Sequence, residues 1–239
     1  MQDGLQALFH AAPQCTQLRR PRHRAWAFAW SAGTGQSRAN DSVLFKDLFR
    51  LSEVRKHKIF VNLLHHLAYR IGSEVNYESL GQEVGLNRET IQRYISQLEL
   101  CRLIRIVPSY ARHLGNELKK GKKIYFTDLG IRNGLINDFR PFSTRDDAGA
   151  LWENFFLMER IKLHERQRDF AKMHFWRTKG HAPHELDFLE VTDGQIQAFE
   201  CKLSPKAVAK PGTDFLQAYP DCKITVVTPE NALEYLGLP

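Results

Sequence analysis

The clearest pattern in the chain is an amphipathic stripe in the segment "KIFVNLLHHLAYRIG", residues 58 to 72. Apolar residues recur there at the three- and four-residue spacing that places them on one face of a helix. They are Phe60, Leu63, Leu64, Leu67, Ala68 and Ile71. The stripe runs up to Gly72, a residue type that often ends helices. The pattern predicts a long helix with one buried face.

A second helical pattern follows in "NYESLGQEVGLNRETIQRYISQLELCRLIRIV". Its spacing predicts a helix, a tight turn, a second helix and a strand. Asn76 and Asn87 are suited to cap the two helices, and Gly85 with Leu86 supplies the turn. The predicted buried positions are Leu80, Val84, Ile91, Ile95 and Leu98. This order predicts a helix-turn-helix.

Two strands joined by a basic loop would complete a winged helix over residues 41 to 127. The polar side of the second helix carries Arg88, Gln92 and Arg93, and the wing carries Lys119, Lys120, Lys122 and Lys123. Arginine binds phosphate or guanine and glutamine binds adenine, so we expect these residues to contact DNA. The alternative is a module that binds protein or acts as a spacer, with its lysines merely solvated.

Residues 128 to 239 combine helical and strand patterns. The helix "AGALWENFFLMERIKLHERQ" is followed by strands "AKMHFWRTK", "ELDFLEV" and "IQAFECKLS", a short helix "TDFLQAY" and a strand "CKITVVT". The last strand is an uninterrupted apolar run, which predicts a position inside the sheet with helices covering it. The order α-β-β-β-α-β places the chain in the α/β (α+β) class.

Residues 1 to 40 show no sustained helical or strand period, and we expect a poorly specified segment there. Its stretch "SAGTGQS" lacks the lysine of a phosphate-binding loop and is interpreted as a linker. Sequence patterning therefore predicts three pieces, which are residues 1–40, 41–127 and 128–239.

Composition narrows the class of protein. The 239 residues are 43% hydrophobic and carry a formal net charge of +7, with a pI of about 9.3. A basic chain favours a polyanionic partner. Four cysteines with no paired spacing (Cys15, Cys101, Cys201 and Cys222) indicate neither a disulfide framework nor a zinc ribbon. We expect a cytoplasmic protein without a membrane span.

The most specific stretch is "ELDFLEVTDGQIQAFECKLS", residues 185 to 204. Asp193-Gly194 between two β-rich runs predicts a two-residue type I′ turn. Counting outward from that turn places Asp187 opposite Glu200 and Glu185 opposite Lys202. These four charges would share one face with Leu189, Val191, Ile196 and Ala198, while the core face would carry Leu186, Phe188, Phe199, Cys201 and Leu203.

Opposed carboxylates ~5 Å apart repel by roughly 3 kcal/mol at an effective dielectric of ~20. A divalent cation would offset this repulsion, since Mg²⁺ and Mn²⁺ prefer oxygen ligands. Alternatively, Lys202 bridges Asp187 and Glu200 as a solvated ion network. Glu153 lies on the apolar face of its helix and also needs a partner, for which a metal, Lys202 or an arginine such as Arg177 is a candidate.

The set of Glu153 on a helix, Asp187 on a strand and Glu200-Cys201-Lys202 on the next strand resembles the PD-(D/E)XK superfamily, the restriction-endonuclease-like proteins. The stretches "KIYFTDLGIRNGL", "WENFFLMERI" and "FECKLS" look more closely like the C-terminal domain of unknown function of prokaryotic AAA-family ATP-binding proteins. In that family a winged helix precedes the nuclease-like module, and the likeness covers about residue 45 to the end.

The resemblance implies that Glu153, Asp187 and Glu200 bind Mg²⁺ or Mn²⁺, and that Lys202 orients water or stabilises the transition state. It implies Glu185 as an auxiliary acid. Leu186 stands where the superfamily has its proline. The family's P-loop ATPase is absent, so we expect a C-terminal part of a longer protein and carry over no ATP hydrolysis.

Two functions therefore remain open. In one, the winged helix delivers a metal-dependent phosphodiesterase, a deoxyribonuclease, to DNA. In the other, the chain is a non-catalytic DNA- or protein-binding module that regulates an ATPase, in transcription or in defence against mobile elements. The expected partners are DNA and either a protein or an ATPase domain.

Overall fold

The computed structural model describes residues 57–111, 121–178, 184–209 and 212–237. The described residues fall into two compact units. The helical unit comprises those within Phe9–Ile106 and Ile124–Arg145, and the sheet unit comprises those within Val107–Lys123 and Asp146–Pro239. The prediction for residues 1–40 lies outside the described residues.

The helical unit is built mainly from short helices. In chain order its elements are α1 (His57–Tyr69), β1 (Glu74–Val75), α2 (Tyr77–Val84), α3 (Arg88–Leu100), β2 (Ile104–Pro108), β3 (Lys122–Phe126), α4 (Leu129–Ile136) and a 3₁₀ turn at Phe142–Thr144. The three strands form a sheet in the order β1-β3-β2. The division between the two units crosses β2 after Ile106 and β3 after Lys123.

Local sequence signals in this unit are confirmed. The Asn76 side chain accepts hydrogen bonds from the backbone N–H groups of Glu78 and Ser79, and the Asn87 side chain accepts one from Thr90. Gly85 ends α2 with a φ of +73°, a left-handed conformation that favours glycine. The apolar stripe of α1 and the predicted positions on α2 and α3 are all buried.

Helix α4 lies with the helical unit, although its sequence falls in the piece predicted to begin at residue 128. The buried Arg132 side chain explains this placement, because its Nε donates a 2.8 Å hydrogen bond to the Ala68 carbonyl oxygen of α1. Asp128 caps α4 through its side chain.

The sheet unit follows the predicted order of helix, three strands, helix and strand. Its elements are α5 (Ala148–Gln167), β4 (Lys172–Arg177), β5 (Glu185–Thr192), β6 (Gln195–Cys201), α6 (Thr213–Ala218), β7 (Lys223–Val227) and α7 (Ala232–Leu236). The strand order is β4-β5-β6-β7, with β4, β5 and β6 antiparallel and β7 parallel to β6. The class is mixed α/β, as predicted.

One strand position differs from the prediction. The apolar run of β7 was expected inside the sheet, but β7 pairs with β6 alone and forms an edge in the described part of the sheet. Its burial alternates, with Thr225 and Val227 buried and Ile224 and Val226 half-buried. The apolar run therefore did not indicate a central strand here. An edge strand can also be apolar throughout when one of its faces is buried and the other is half-buried.

Aromatic packing covers the sheet from the α5 side. Phe188 and Phe199 stack at 4.8 Å between ring centroids, and Phe156 of α5 lies 5.7 Å from each. A second cluster consists of Trp176, Leu186, Leu189, Ala198 and Phe215. Because Leu189 and Ala198 alternate with Phe188 and Phe199 along the strands, the sheet carries apolar packing on both sides.

A bulge in β5 changes the predicted faces. The pairs His174 with Leu189 and Trp176 with Leu186 show that β5 advances three residues while β4 advances two. The extra residue shifts the alternation, so Leu186 joins the Leu189 cluster rather than the Phe188 side where the sequence placed it. Asp187 lies inside this bulge, and bulges often redirect a side chain next to a functional site.

Candidate functional site

The hairpin that carries the predicted acids has the predicted turn. Asp193 and Gly194 have φ values of 50° and 83°, and the strands pair from Thr192 with Gln195 to Phe188 with Phe199. Asp187 and Glu200 are the next residues of the two strands beyond the last of these pairs. Asp187 Oδ2 accepts a 2.6 Å hydrogen bond from the backbone N–H of Cys201, which attaches this carboxyl group to β6.

Glu200 has one paired and one unpaired carboxylate oxygen. Its Oε1 lies 2.7 Å from Lys202 Nζ, whereas its Oε2 is buried and has no hydrogen-bond partner among the described residues. The residue is only 9% exposed. A buried acceptor without a partner costs free energy, so this oxygen offers a place for a cation or a donor.

Lys123 belongs to the same site, which corrects its predicted place on an exposed wing. The residue is 2% exposed, and its Nζ lies 3.2 Å from Glu153 Oε1 and 2.5 Å from Glu185 Oε1. The ammonium group also lies 5.4 Å from the centroid of the Phe175 ring. Two carboxylates therefore replace water around this lysine, and a buried ammonium is not a surface contact for DNA.

We call these six residues the acidic cluster: Lys123, Glu153, Glu185, Asp187, Glu200 and Lys202. Four carboxyl groups face two ammonium groups. Burial, followed by the nearby Glu153 carboxylate, raises the pKa of Asp187 to about 7, against the opposing charge of Lys123. Burial would lower the pKa of Lys123, but the carboxylates of Glu153, Glu185 and Asp187 outweigh it and raise that pKa.

The structure thus brings together Glu153, Asp187, Glu200 and Lys202, the residues that the sequence singled out. Some of their ion-pair partners differ from those expected. Glu153 pairs with Lys123, and Arg177 Nε lies 3.7 Å from Glu185 instead. Glu185 pairs with Lys123 too, whereas it had been expected opposite Lys202. β6 ends at Cys201, and the Lys202 backbone N–H donates to the Val227 carbonyl oxygen of β7.

Of the other predicted nucleic-acid contacts, Arg88, Gln92 and Arg93 belong to the helical unit and Lys122 to the sheet unit. Arg88, Gln92 and Arg93 are exposed on α3, and the Arg93 guanidinium lies 5.5 Å from the Tyr94 ring centroid. Lys122 is half-buried at the start of β3. Lys119 and Lys120 lie outside the described residues.

The carboxylates of the acidic cluster offer a divalent cation fewer ligands than their number suggests. In the described ranges no group of three or more His, Cys, Asp or Glu residues is arranged to hold a metal ion. Glu153 and Glu185 each pair with Lys123 through one carboxylate oxygen, whereas Asp187 and Glu200 form no ion pair with this lysine. Mg²⁺ is often held by only one or two carboxylates together with water and substrate phosphate, so Asp187 and Glu200 match the number of protein ligands that such a site uses.

A second buried charged group lies further along α5, and we call it the Arg160 cluster: Arg160, His164, Asp169 and Glu190. Arg160 donates from Nε and Nη2 to the two oxygens of Glu190, at 2.6 and 2.5 Å. Arg160 Nη1 donates to the Tyr235 carbonyl oxygen. His164 Nε2 lies 3.2 Å from Glu190 Oε2, and its Nδ1 contacts Asp169.

Comparison with known proteins finds two domain families. A domain of unknown function (DUF8612) matches residues 35–141, and another domain of unknown function (DUF4143) matches residues 148–237. The chain is similar to both families. The DUF4143 match confirms the part of the sequence resemblance that concerns a domain of unknown function.

Other comparisons add little about function. No curated protein matches the chain. Among solved structures, protein VC1899 from Vibrio cholerae is 14% identical, and the match covers 85% of this chain at a TM-score of 0.26. The chain spans 50% of that protein's length. None of the described helices is long and apolar enough to cross a membrane.

Proposed function

We propose that this chain is the C-terminal module of an AAA-family ATP-binding protein, with a DNA-binding winged helix joined to a PD-(D/E)XK nuclease-like domain. The proposed reaction is hydrolysis of phosphodiester bonds with Mg²⁺ or Mn²⁺. One observation carries the proposal. Asp187 and Glu200 lie on neighbouring strands beside Lys202, and the buried Oε2 of Glu200 lacks a partner among the described residues.

Each residue of the proposed site has a role that its surroundings support. A bound divalent ion would supply Lewis-acid stabilisation of phosphate charge and a more acidic water. Asp187 and Glu200 would hold it, and the Cys201 N–H keeps the Asp187 carboxyl group in place. Lys202 is 39% exposed, so its ammonium group can contact a phosphate oxygen while it remains next to Glu200.

The proposed DNA contact rests on α3 and on overall charge. Arg88, Gln92 and Arg93 are exposed on one helix that is capped at Asn87 and buried on its other side. A net charge of +7 favours association with a polyanion. Arginine and glutamine side chains on such a helix can bind phosphate and base edges in a major groove.

Cleavage of single-stranded, duplex and branched DNA in Mg²⁺ or Mn²⁺ tests the catalytic part. We expect cleavage by the intact chain and a loss of about a hundredfold or more in Asp187→Asn and Lys202→Met, because each removes a group that acts on phosphate charge. Glu165→Gln, at an exposed position of α5, is the matched control and should cleave normally. Equal rates in all four proteins, or no cleavage of any substrate, would contradict this part.

Salt dependence of duplex binding tests the DNA-binding part separately. Replacing Arg88 and Arg93 with glutamine should reduce the slope of log affinity against log salt by roughly 1 for each DNA phosphate that the variant no longer neutralises. Arg166→Gln, exposed on α5, removes the same charge from the sheet unit and should leave the slope unchanged. An unchanged slope in the Arg88 and Arg93 variant would remove α3 as the DNA contact.

A specific observation favours the second function, a non-catalytic DNA- or protein-binding regulatory module. Lys123 neutralises two of the four carboxylates with a positive charge of the chain itself. A site balanced in this way can persist without a metal ion. Duplex binding that persists in a protein without any metal-dependent cleavage would select this function.

A further inference from the structure

Lys123 belongs to the acidic cluster, although the sequence predicted it as a DNA contact on the wing. It lies on β3, whereas Glu153 lies on α5 and Glu185 on β5. An ammonium group has three donors, and two of them are used at 3.2 Å and 2.5 Å by these carboxylates. These are lengths of charge-assisted hydrogen bonds, which are among the stronger contacts in proteins.

We propose that Lys123 is an internal counter-cation that takes Glu153 and Glu185 out of metal coordination, so that Asp187 and Glu200 alone hold a divalent ion. This inference rests on the metal site of the proposed function and narrows it. Glu153 then acts as a positioning residue for Lys123, and Lys123 is a positioning residue of the site.

Exclusion of Glu153 from the metal follows from charge and burial. A divalent ion on the same Glu153 carboxylate would lie within a few ångströms of the Lys123 ammonium group, and two buried cations at that distance repel strongly. Water cannot screen this repulsion, because Lys123 is 2% exposed and lies against Phe175. Its departure would also leave Glu185 with less compensating charge.

Asp187 and Glu200 differ from these two acids, because neither forms an ion pair with Lys123, although the charge of Lys123 also acts on Asp187. Asp187 Oδ2 is bound by a neutral N–H group, and Glu200 Oε2 is buried without a partner in the described part of the chain. Lys202 pairs with the other oxygen of Glu200, Oε1, and its side chain is partly exposed. The oxygens still open to a cation therefore belong to the two hairpin strands.

Binding of Mn²⁺ alone, measured by electron paramagnetic resonance or calorimetry on the whole chain without nucleic acid, tests this assignment. Glu153→Gln should bind Mn²⁺ within about twofold of the intact chain, while Asp187→Asn should bind about tenfold more weakly or worse. Lys123→Met should bind about tenfold more tightly, because a released Glu153 adds a charged ligand. Lys123→Arg should restore the original affinity.

The double variant Lys123→Met with Glu153→Gln should lose the gain of the single lysine change. A purely structural role of Lys123 would lower stability without raising Mn²⁺ affinity. If Lys123→Met does not fold, the Mn²⁺ affinities of Glu153→Gln and Asp187→Asn are sufficient to test the assignment, since both variants keep Lys123.

Three results would overturn the assignment. They are an equal loss of Mn²⁺ affinity in Glu153→Gln and Asp187→Asn, unchanged affinity in folded Lys123→Met, and no Mn²⁺ binding by any of the proteins. Mn²⁺ binding in the expected order without DNA cleavage supports the assignment and rejects only the catalytic part of the proposed function.

Discussion

Two buried charged clusters share α5 and β5, and they differ in how completely their charges are paired. In the Arg160 cluster, both oxygens of Glu190 accept from one guanidinium group, and a further N–H of that group donates to the Tyr235 carbonyl. In the acidic cluster, Glu200 keeps a buried oxygen without a partner in the described ranges, and the pKa of Asp187 is raised to about 7.

This difference separates two uses of buried charge. A fully bonded ion pair holds neighbouring elements together, and breaking it is costly although its net contribution is small. An acidic excess with an unpaired oxygen costs stability, and such costs concentrate where a ligand or a reaction compensates for them. Completeness of pairing therefore identifies the acidic cluster, rather than the Arg160 cluster, as the candidate site.

The largest predicted effect is on stability in the Arg160 cluster. Arg160→Met leaves Glu190, which is 4% exposed, as an uncompensated buried carboxylate. We expect the free energy of unfolding, measured with urea, to fall by about 3 to 5 kcal/mol.

Arg166→Met is the control for this change, because it removes an exposed arginine from the same helix. Its effect should stay within about 0.5 kcal/mol. A loss below about 1 kcal/mol in the free energy of unfolding of Arg160→Met would contradict the distinction between a stabilising Arg160 cluster and a functional acidic cluster.

Much of this architecture followed from local sequence signals. Asp193 and Gly194 both adopt positive φ, which sets the turn and hence the register from Thr192 with Gln195 to Phe188 with Phe199. The caps at Asn76 and Asn87 and the stripe of α1 were equally readable, because each depends only on residues within a few positions.

The features that the sequence did not predict depend on contacts between residues far apart in the chain. Lys123 precedes Glu153 by 30 residues, and its neighbour Lys122 has the same side chain, so no local pattern marks which of the two is buried. The face of Leu186 was mispredicted because the bulge of β5 is visible only in its pairing with β4. The edge position of β7 likewise depends on which strands lie beside it.

The second prediction concerns pH. Asp187 has a pKa of about 7 in the folded chain and roughly 3.9 in an unfolded one. Between these values the folded state holds a proton that the unfolded state has lost, so the free energy of unfolding should fall as pH rises from about 4 to 7. In EDTA we expect a fall of about 3 kcal/mol from this group.

Asp187→Asn should remove most of that fall, because the amide keeps the shape of the side chain and cannot ionise. Urea unfolding at pH 5 and pH 8 in EDTA measures the difference, and Glu165→Gln should reproduce the profile of the intact chain. A variant profile as steep as the original would mean that Asp187 is not the group whose ionisation is unfavourable in the acidic cluster.

The smallest predicted effect on stability comes from Lys202→Met. Lys202 Nζ lies 2.7 Å from Glu200, yet its side chain is 39% exposed, so water screens the pair. We expect a change below about 1 kcal/mol in the free energy of unfolding, against several for Arg160→Met. The same deletion of one positive charge would then be nearly silent for stability in one cluster and severe in the other. A stability loss as large as that of Arg160→Met would place Lys202 in a structural ion pair and leave the acidic cluster without an ammonium group available to phosphate.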